Sequence, residues 1–117
     1  VDKVAKSYTD LMKKRGYPII TLCGSTRFKD DFLRVQKELT LQGYIVISVG
    51  LFGHSGDEDA WTKGTKEMLD DMHKRKIDLS QAIFVINKDG YIGDSTRSEI
   101  EYAKATGKAI YYMESIP

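Results

Sequence analysis

The sequence predicts an α/β fold in which helices cover both faces of a four-stranded parallel sheet. Two observations carry that expectation. Short, fully apolar runs recur along the 117 residues, and stretches of 12 or more residues with helical periodicity separate them. Strands buried on both faces read as continuous apolar runs, and parallel neighbours need crossovers of that length. The resulting architecture is a three-layer α/β/α doubly wound sheet of the flavodoxin or Rossmann-like kind, with strand order 2-1-3-4 and an added N-terminal helix.

The elements follow in order. Val4, Tyr8, Leu11 and Met12 recur at helical spacing and predict a helix over 1–16, closed by Gly16. The run 18–23, PIITLC, reads as a buried strand ending at Gly24. The stretch 26–43 places Phe28, Phe32, Val35 and Leu39 on one helical stripe, stopped by Gly43. YIVISVG, 44–50, is a second β-branched strand. LFGHSGDEDAWTKG, 51–64, has three glycines and no period, and reads as a loop. In 65–80 Met68, Leu69, Met72 and Ile77 suggest one buried helical face. AIFVIN (82–87) is the third strand, STRSEIEYAKAT (95–106) the last helix, and KAIYYME (108–114) the fourth strand. No repeat, low-complexity tract or linker interrupts the chain, so residues 1–117 are read as one domain.

Composition narrows the function. Eighteen Lys and Arg against seventeen Asp and Glu leave a net charge of +1, which gives no footprint for polymeric nucleic acid. No apolar run reaches the roughly 20 residues needed to span a bilayer, so no membrane partner is expected. The N-terminus is charged and lacks a signal-peptide core, and the lone Cys23 lies in an apolar run; both fit a reducing cytoplasm. The chain has no initiating Met, which points to a few removed residues.

Ligands of doubly wound sheets bind outside the carboxyl ends of the strands, beside the switch in strand order. That rule selects the loops CGSTR, GLFGHSGDED and NKDGYIGDST. In the first, Gly24 allows close backbone approach, Ser25 and Thr26 supply hydroxyls at a helix N-terminus, and Arg27 can grip a phosphate. The plainer reading is a helix cap. The loop matches neither GxxxxGK[ST] nor GxGxxG. In the third loop, Thr96-Arg-Ser-Glu99 has capping-box spacing, and spacing alone favours a cap; the same Glu99 also stands one turn from the cleft rim, where a carboxylate can attack carbon. His54 and Trp61 sit in the second loop, His54 as a ligand contact and Trp61 as a cover for a base or sugar, or simply as an anchor to the core. His73 shares a face with Leu69 and Ile77 and reads as a core-edge histidine, and Asn87 closes the third strand at the cleft. His54, His73 and Cys23 show no recurring ligand spacing, so no metal is expected.

CGSTR after strand 1 together with GDSTRSEIEYA after strand 3 resembles the nucleoside 2-deoxyribosyltransferase superfamily, which includes the deoxynucleoside 5′-monophosphate N-glycosidases. The similarity covers 18–113 and is strongest to a branch with the signature GYIGxSTRSEIEYA. It implies that Gly24, Ser25 and Arg27 hold a 5′-phosphate. It also places Ser95, Thr96, Glu99 and Ala103 on the motif whose glutamate is the nucleophile, and makes Asp71, with His73 as the near alternative, the acid beside the leaving base. Ser95 and Glu101 stand where the family has glycines. The implied activity is cleavage or transfer at the N-glycosidic bond of a nucleoside or nucleoside 5′-monophosphate, without a cofactor, in a homodimer or higher homo-oligomer. Two other readings are a non-catalytic nucleotide-binding module using the same cleft and a flavodoxin-like FMN carrier. The loop after strand 1 is too short to wrap a phosphate in the manner of the latter.

Overall fold

The computed structural model describes residues 16–116; the helix expected over 1–16 lies outside them. Four strands, β1 (Ile19–Gly24), β2 (Ile45–Ile47), β3 (Ala82–Ile86) and β4 (Ala109–Tyr112), pair in parallel in the order β2-β1-β3-β4. Ile20 aligns with Val46 on one side and with Ala82 on the other, and Phe84 aligns with Tyr111. Three helices connect them: α1 (Lys29–Leu41), α2 (Thr65–Asp78) and α3 (Asp94–Ala105).

Strand burial follows position in the sheet. β3 is central and buried at all five residues, whereas the edge strand β2 is only three residues long and leaves Ile45 half exposed. The apolar run 44–50 is therefore strand only in its first half; the rest belongs to the loop that builds the cleft. Alternate side chains of β1 and β3 serve opposite faces, as the period of two dictates. Ile20, Leu22, Phe84 and Ile86 pack against Phe32, Val35 and Leu39 of α1. Cys23, Ile83 and Val85 pack against Ile77 of α2 and Ile100 and Ala103 of α3. The result is three layers with α1 on one face and α2 with α3 on the other.

The stripe predicted on α1 is the buried one. On α2 the buried face is narrower than predicted: His73 and Ile77 are buried, but Met68 and Met72 are 48% and 42% exposed. They lie off the face that meets the sheet.

Candidate functional site

A cleft of about 290 Å³ opens at the carboxyl ends of β1 and β3, where the chain has turned to opposite sides of the sheet. Its size is at the small end of ligand-binding pockets. All three loops selected from the sequence line it.

The floor begins at Gly24. Its φ of +154° suits glycine, and a Cβ there would stand 2.8 Å from the Ile86 carbonyl oxygen and 3.0 Å from the Ile86 Cβ. Only glycine lets the ends of β1 and β3 come this close. The chain then enters a 3-10 turn over Thr26–Phe28, with the Ser25 hydroxyl accepting from the Arg27 amide at 3.3 Å. The helix proper starts three residues later than predicted, at Lys29.

The mouth is a set of interlocked loops. Thr26 Oγ1 lies 2.7 Å from His54 Nδ1 and accepts the His54 amide at 3.2 Å, while the Ser55 hydroxyl donates to the Thr26 carbonyl. Trp61 stacks edge-on against His54, with ring centres 4.9 Å apart, and donates its indole N–H to the Gly53 carbonyl. Thr26 and His54 therefore brace loop against loop while also lining the cleft. Arg27 lies over the Tyr91 ring at 4.8 Å, so its guanidinium is held at the rim.

Glu99 is not a helix cap. The cap position of α3 is Gly93, and the helix starts at Asp94, so Glu99 sits in its second turn, out of reach of the cap amide. The capping-box reading placed the cap at Thr96, which is instead buried within the first turn. The spacing was right for a box, but the helix begins two residues before it.

The Glu99 side chain, 12% exposed, turns inward toward His73 Nε2 at 3.9 Å. Cys23 Sγ hydrogen-bonds His73 Nε2 at 3.5 Å and lies beside the Glu99 carboxylate. Burial raises the Glu99 carboxyl to about 7; the neighbouring Cys23 thiol opposes that rise, and the nearby Asp70 charge adds to it. Burial, helped by the Lys76 charge, lowers His73 to about 4. The imidazole is thus neutral at pH 7, and the His73–Glu99 contact there is not a salt bridge. Burial also pushes the Cys23 thiol well above its ordinary value.

Two expected site residues are not brought to the cleft. Asp71 is 76% exposed and points to Arg75, with Oδ1 3.9 Å from Nε. Two positions from His73, it falls on the opposite side of α2. Its neighbour Asp70 lines the cleft instead, 2.9 Å from Lys66 Nζ. Asn87 is buried beneath the cleft, where its side chain makes a paired hydrogen bond to the backbone of Glu114 and extends the β3–β4 ladder by one rung. Gly24, Ser25, Thr26, Arg27, His54, Ser95, Thr96 and Glu99 all line the cleft. Glu101, which stands where the resembled family has a glycine, pairs with Lys104 at 3.7 Å and is 67% exposed, away from the cleft.

Sequence reasoning missed Asp70, Lys66 and Tyr91 as lining residues, and missed Cys23 as a partner of Glu99. For the first two a signal existed: Lys66, Asp70, His73 and Ile77 follow the 4-3-4 spacing of one helical face. Comparison with protein-family models, with curated proteins and with solved structures found no match to this chain.

Proposed function

We propose that the protein cleaves or transfers at the N-glycosidic bond of a nucleoside or nucleoside 5′-monophosphate, with Glu99 as nucleophile. The observation that carries this reading is the placement of Glu99: freed from any capping role, mostly buried, and lining the floor of a cleft at the sheet's switch point. A carboxylate held there meets a sugar carbon from below, while hydroxyls and amides at the start of α3, from Ser95 and Thr96, face the sugar. Arg27 at the rim suits a 5′-phosphate, and Trp61 and Tyr91 offer faces for a base.

The step balances without a cofactor. A Glu99 oxygen forms a bond to C1′ as the C1′–N bond breaks, and the base leaves with the electron pair. A proton or hydrogen bond from the Lys66–Asp70 pair, which lines the same cleft, assists departure. Water or a second base then displaces Glu99 from the glycosyl ester. Ionised Glu99 is the attacking form, and a carboxyl at about 7 supplies it in substantial fraction at neutral pH.

The test is direct. The protein is incubated with a panel of ribo- and deoxynucleosides and their 5′-monophosphates, and free base is measured. A slow 2-fluoro substrate should leave a glycosyl adduct on Glu99 that mass spectrometry can place. Nucleotide binding with no base released from any substrate would make the protein a binding module, with the same cleft serving as a sensor.

A further inference from the structure

Cys23, His73 and Glu99 come from β1, α2 and α3, and each offers one ligand atom within 4.8 Å of the other two. Their sequence separations gave no hint of this, because the strand and both helices converge only in the folded chain. We propose that these side chains form a three-ligand site for a borderline divalent cation, zinc above all, with its fourth position open to the cleft.

The geometry is close to what such an ion requires. Bonds of about 2.3 Å to sulfur and 2.0 Å to nitrogen in a tetrahedral centre put those two atoms roughly 3.5 Å apart. Cys23 Sγ and His73 Nε2 are 3.5 Å apart. Nitrogen and a carboxylate oxygen on the same centre stand about 3.4 Å apart, so Glu99, now 3.9 Å from His73 with all three ligand atoms within 4.8 Å of one another, has to move in toward both partners. His73 Nε2 is the ring nitrogen that faces both Cys23 and Glu99, so its lone pair is the one an ion at the cluster would take.

Charge and exposure point the same way. A thiolate and a carboxylate balance a divalent ion, so the loaded centre is neutral in a buried setting that disfavours either anion alone. Loading releases the Cys23 proton and any proton held by Glu99. Cys23 is fully buried, whereas His73 and Glu99 line the cleft, so the open position faces the cavity. One sulfur, one nitrogen and one oxygen select zinc or cobalt over magnesium or calcium. Ion binding and nucleophilic attack both claim Glu99, so the two states exclude each other; the ion-binding inference itself does not depend on the glycosidic reading.

Cobalt supplies the test. The chain has a single cysteine, so a thiolate-to-cobalt charge-transfer band in the near ultraviolet can report only Cys23. Chelator-treated protein titrated with Co²⁺ should develop that band with one equivalent per chain, and Zn²⁺ should abolish it. Zinc calorimetry in two buffers of different ionisation enthalpy should show proton release. Cys23→Ser should lose the band. Glu99→Gln and His73→Asn should each weaken zinc binding by roughly tenfold or more. Glu99→Gln keeps the side chain's size at a partly exposed position, so it stays informative if either other variant fails to fold. No charge-transfer band at saturating cobalt, or equal zinc affinity in the wild type and Glu99→Gln, overturns the proposal.

Discussion

The floor and the mouth of the cleft are built on opposite principles. At the floor, Cys23 and His73 are buried and Glu99 is partly buried on regular elements, and desolvation moves Glu99 up and His73 down. At the mouth, Arg27, His54, Trp61 and Tyr91 are exposed on loops that brace one another through hydrogen bonds and ring contacts. On the proposed glycosidic reading, the chemistry belongs to the desolvated floor and ligand recognition to the mouth. Substitutions at the floor should therefore change chemistry and pH dependence, and substitutions at the mouth should change affinity.

The largest effect is expected at Glu99. Glu99→Gln should lower base release by roughly 10³-fold or more, because an amide neither attacks C1′ nor carries charge. Thermal stability near pH 7 should be held or raised, since the variant buries no anion. A fall in melting temperature with activity intact would return Glu99 to a structural role.

Proton linkage should separate the floor residues next. Glu99 goes from 4.5 unfolded to about 7 folded, so the folded state holds the extra proton and stability falls as pH rises through that window. His73 goes from 6.5 to about 4, so the unfolded state holds the extra proton and stability rises with pH over its window. Each shift corresponds to roughly 3 kcal/mol, and the two largely cancel between pH 4.5 and 6.5. Removing one group should unmask the other. In chelator-treated protein, denaturation across pH should show Glu99→Gln gaining stability as pH rises over that range and His73→Asn losing it. Parallel curves for both variants and wild type would mean that neither group is desolvated as described.

At the mouth, Arg27→Ala should weaken binding of a nucleoside monophosphate by about ten- to a hundredfold, the worth of a hydrogen bond to a charged group. The free nucleoside should bind almost as before. Equal losses for both in calorimetry would mean that Arg27 acts by holding Tyr91 in place rather than by meeting a phosphate.

The sheet was legible because its central strands β1 and β3 are buried on both faces and every strand is an apolar run ending at or near a glycine or polar residue. Parallel pairing followed from the lengths of the crossovers, and the order 2-1-3-4 from the right-handed, doubly wound arrangement they imply. Legibility failed where three-dimensional convergence or helix phase decided the outcome. Nothing in its sequence neighbourhood marks Cys23 as a partner of Glu99, since residues 23, 73 and 99 meet only when α2 and α3 pack on the same face of β1. The last helix was found within one residue, but its cap was misread: the Thr96–Glu99 box spacing pointed to Thr96, yet the extended Gly93 takes that position with no side chain at all. Capping preference is weak beside the tertiary contacts that bury Thr96 and Ile100. The strand expected over 44–50 was cut short because residues 48–50 leave the sheet for the loop whose Val49 lines the cleft, with Lys76 Nζ holding the Ser48 carbonyl at 2.8 Å.

The smallest effect, and the finest test of helix phase, concerns the adjacent aspartates of α2. Asp70 faces the cleft beside Glu99 and pairs with Lys66, whereas Asp71 faces solvent and pairs with Arg75. The negative charge of Asp70 raises the Glu99 carboxyl, so Asp70→Asn should lower it. An acid with a lower pKa is ionised at lower pH, so the acidic limb of the base-release profile should shift toward acid. Turnover of substrates with poor leaving groups should also fall, by about tenfold or less, because the Lys66–Asp70 pair no longer presents its donor in a fixed place. Activated nucleosides, whose bases leave unaided, should be nearly unaffected. Asp71→Asn should change neither the profile nor the leaving-group dependence, since a surface ion pair such as Asp71–Arg75 contributes at most about 1 kcal/mol to stability and nothing to the cleft. If instead Asp71→Asn shifts the profile and Asp70→Asn does not, α2 is rotated relative to the cleft. The assignment of Lys66, Asp70 and His73 to one inward face then fails with it.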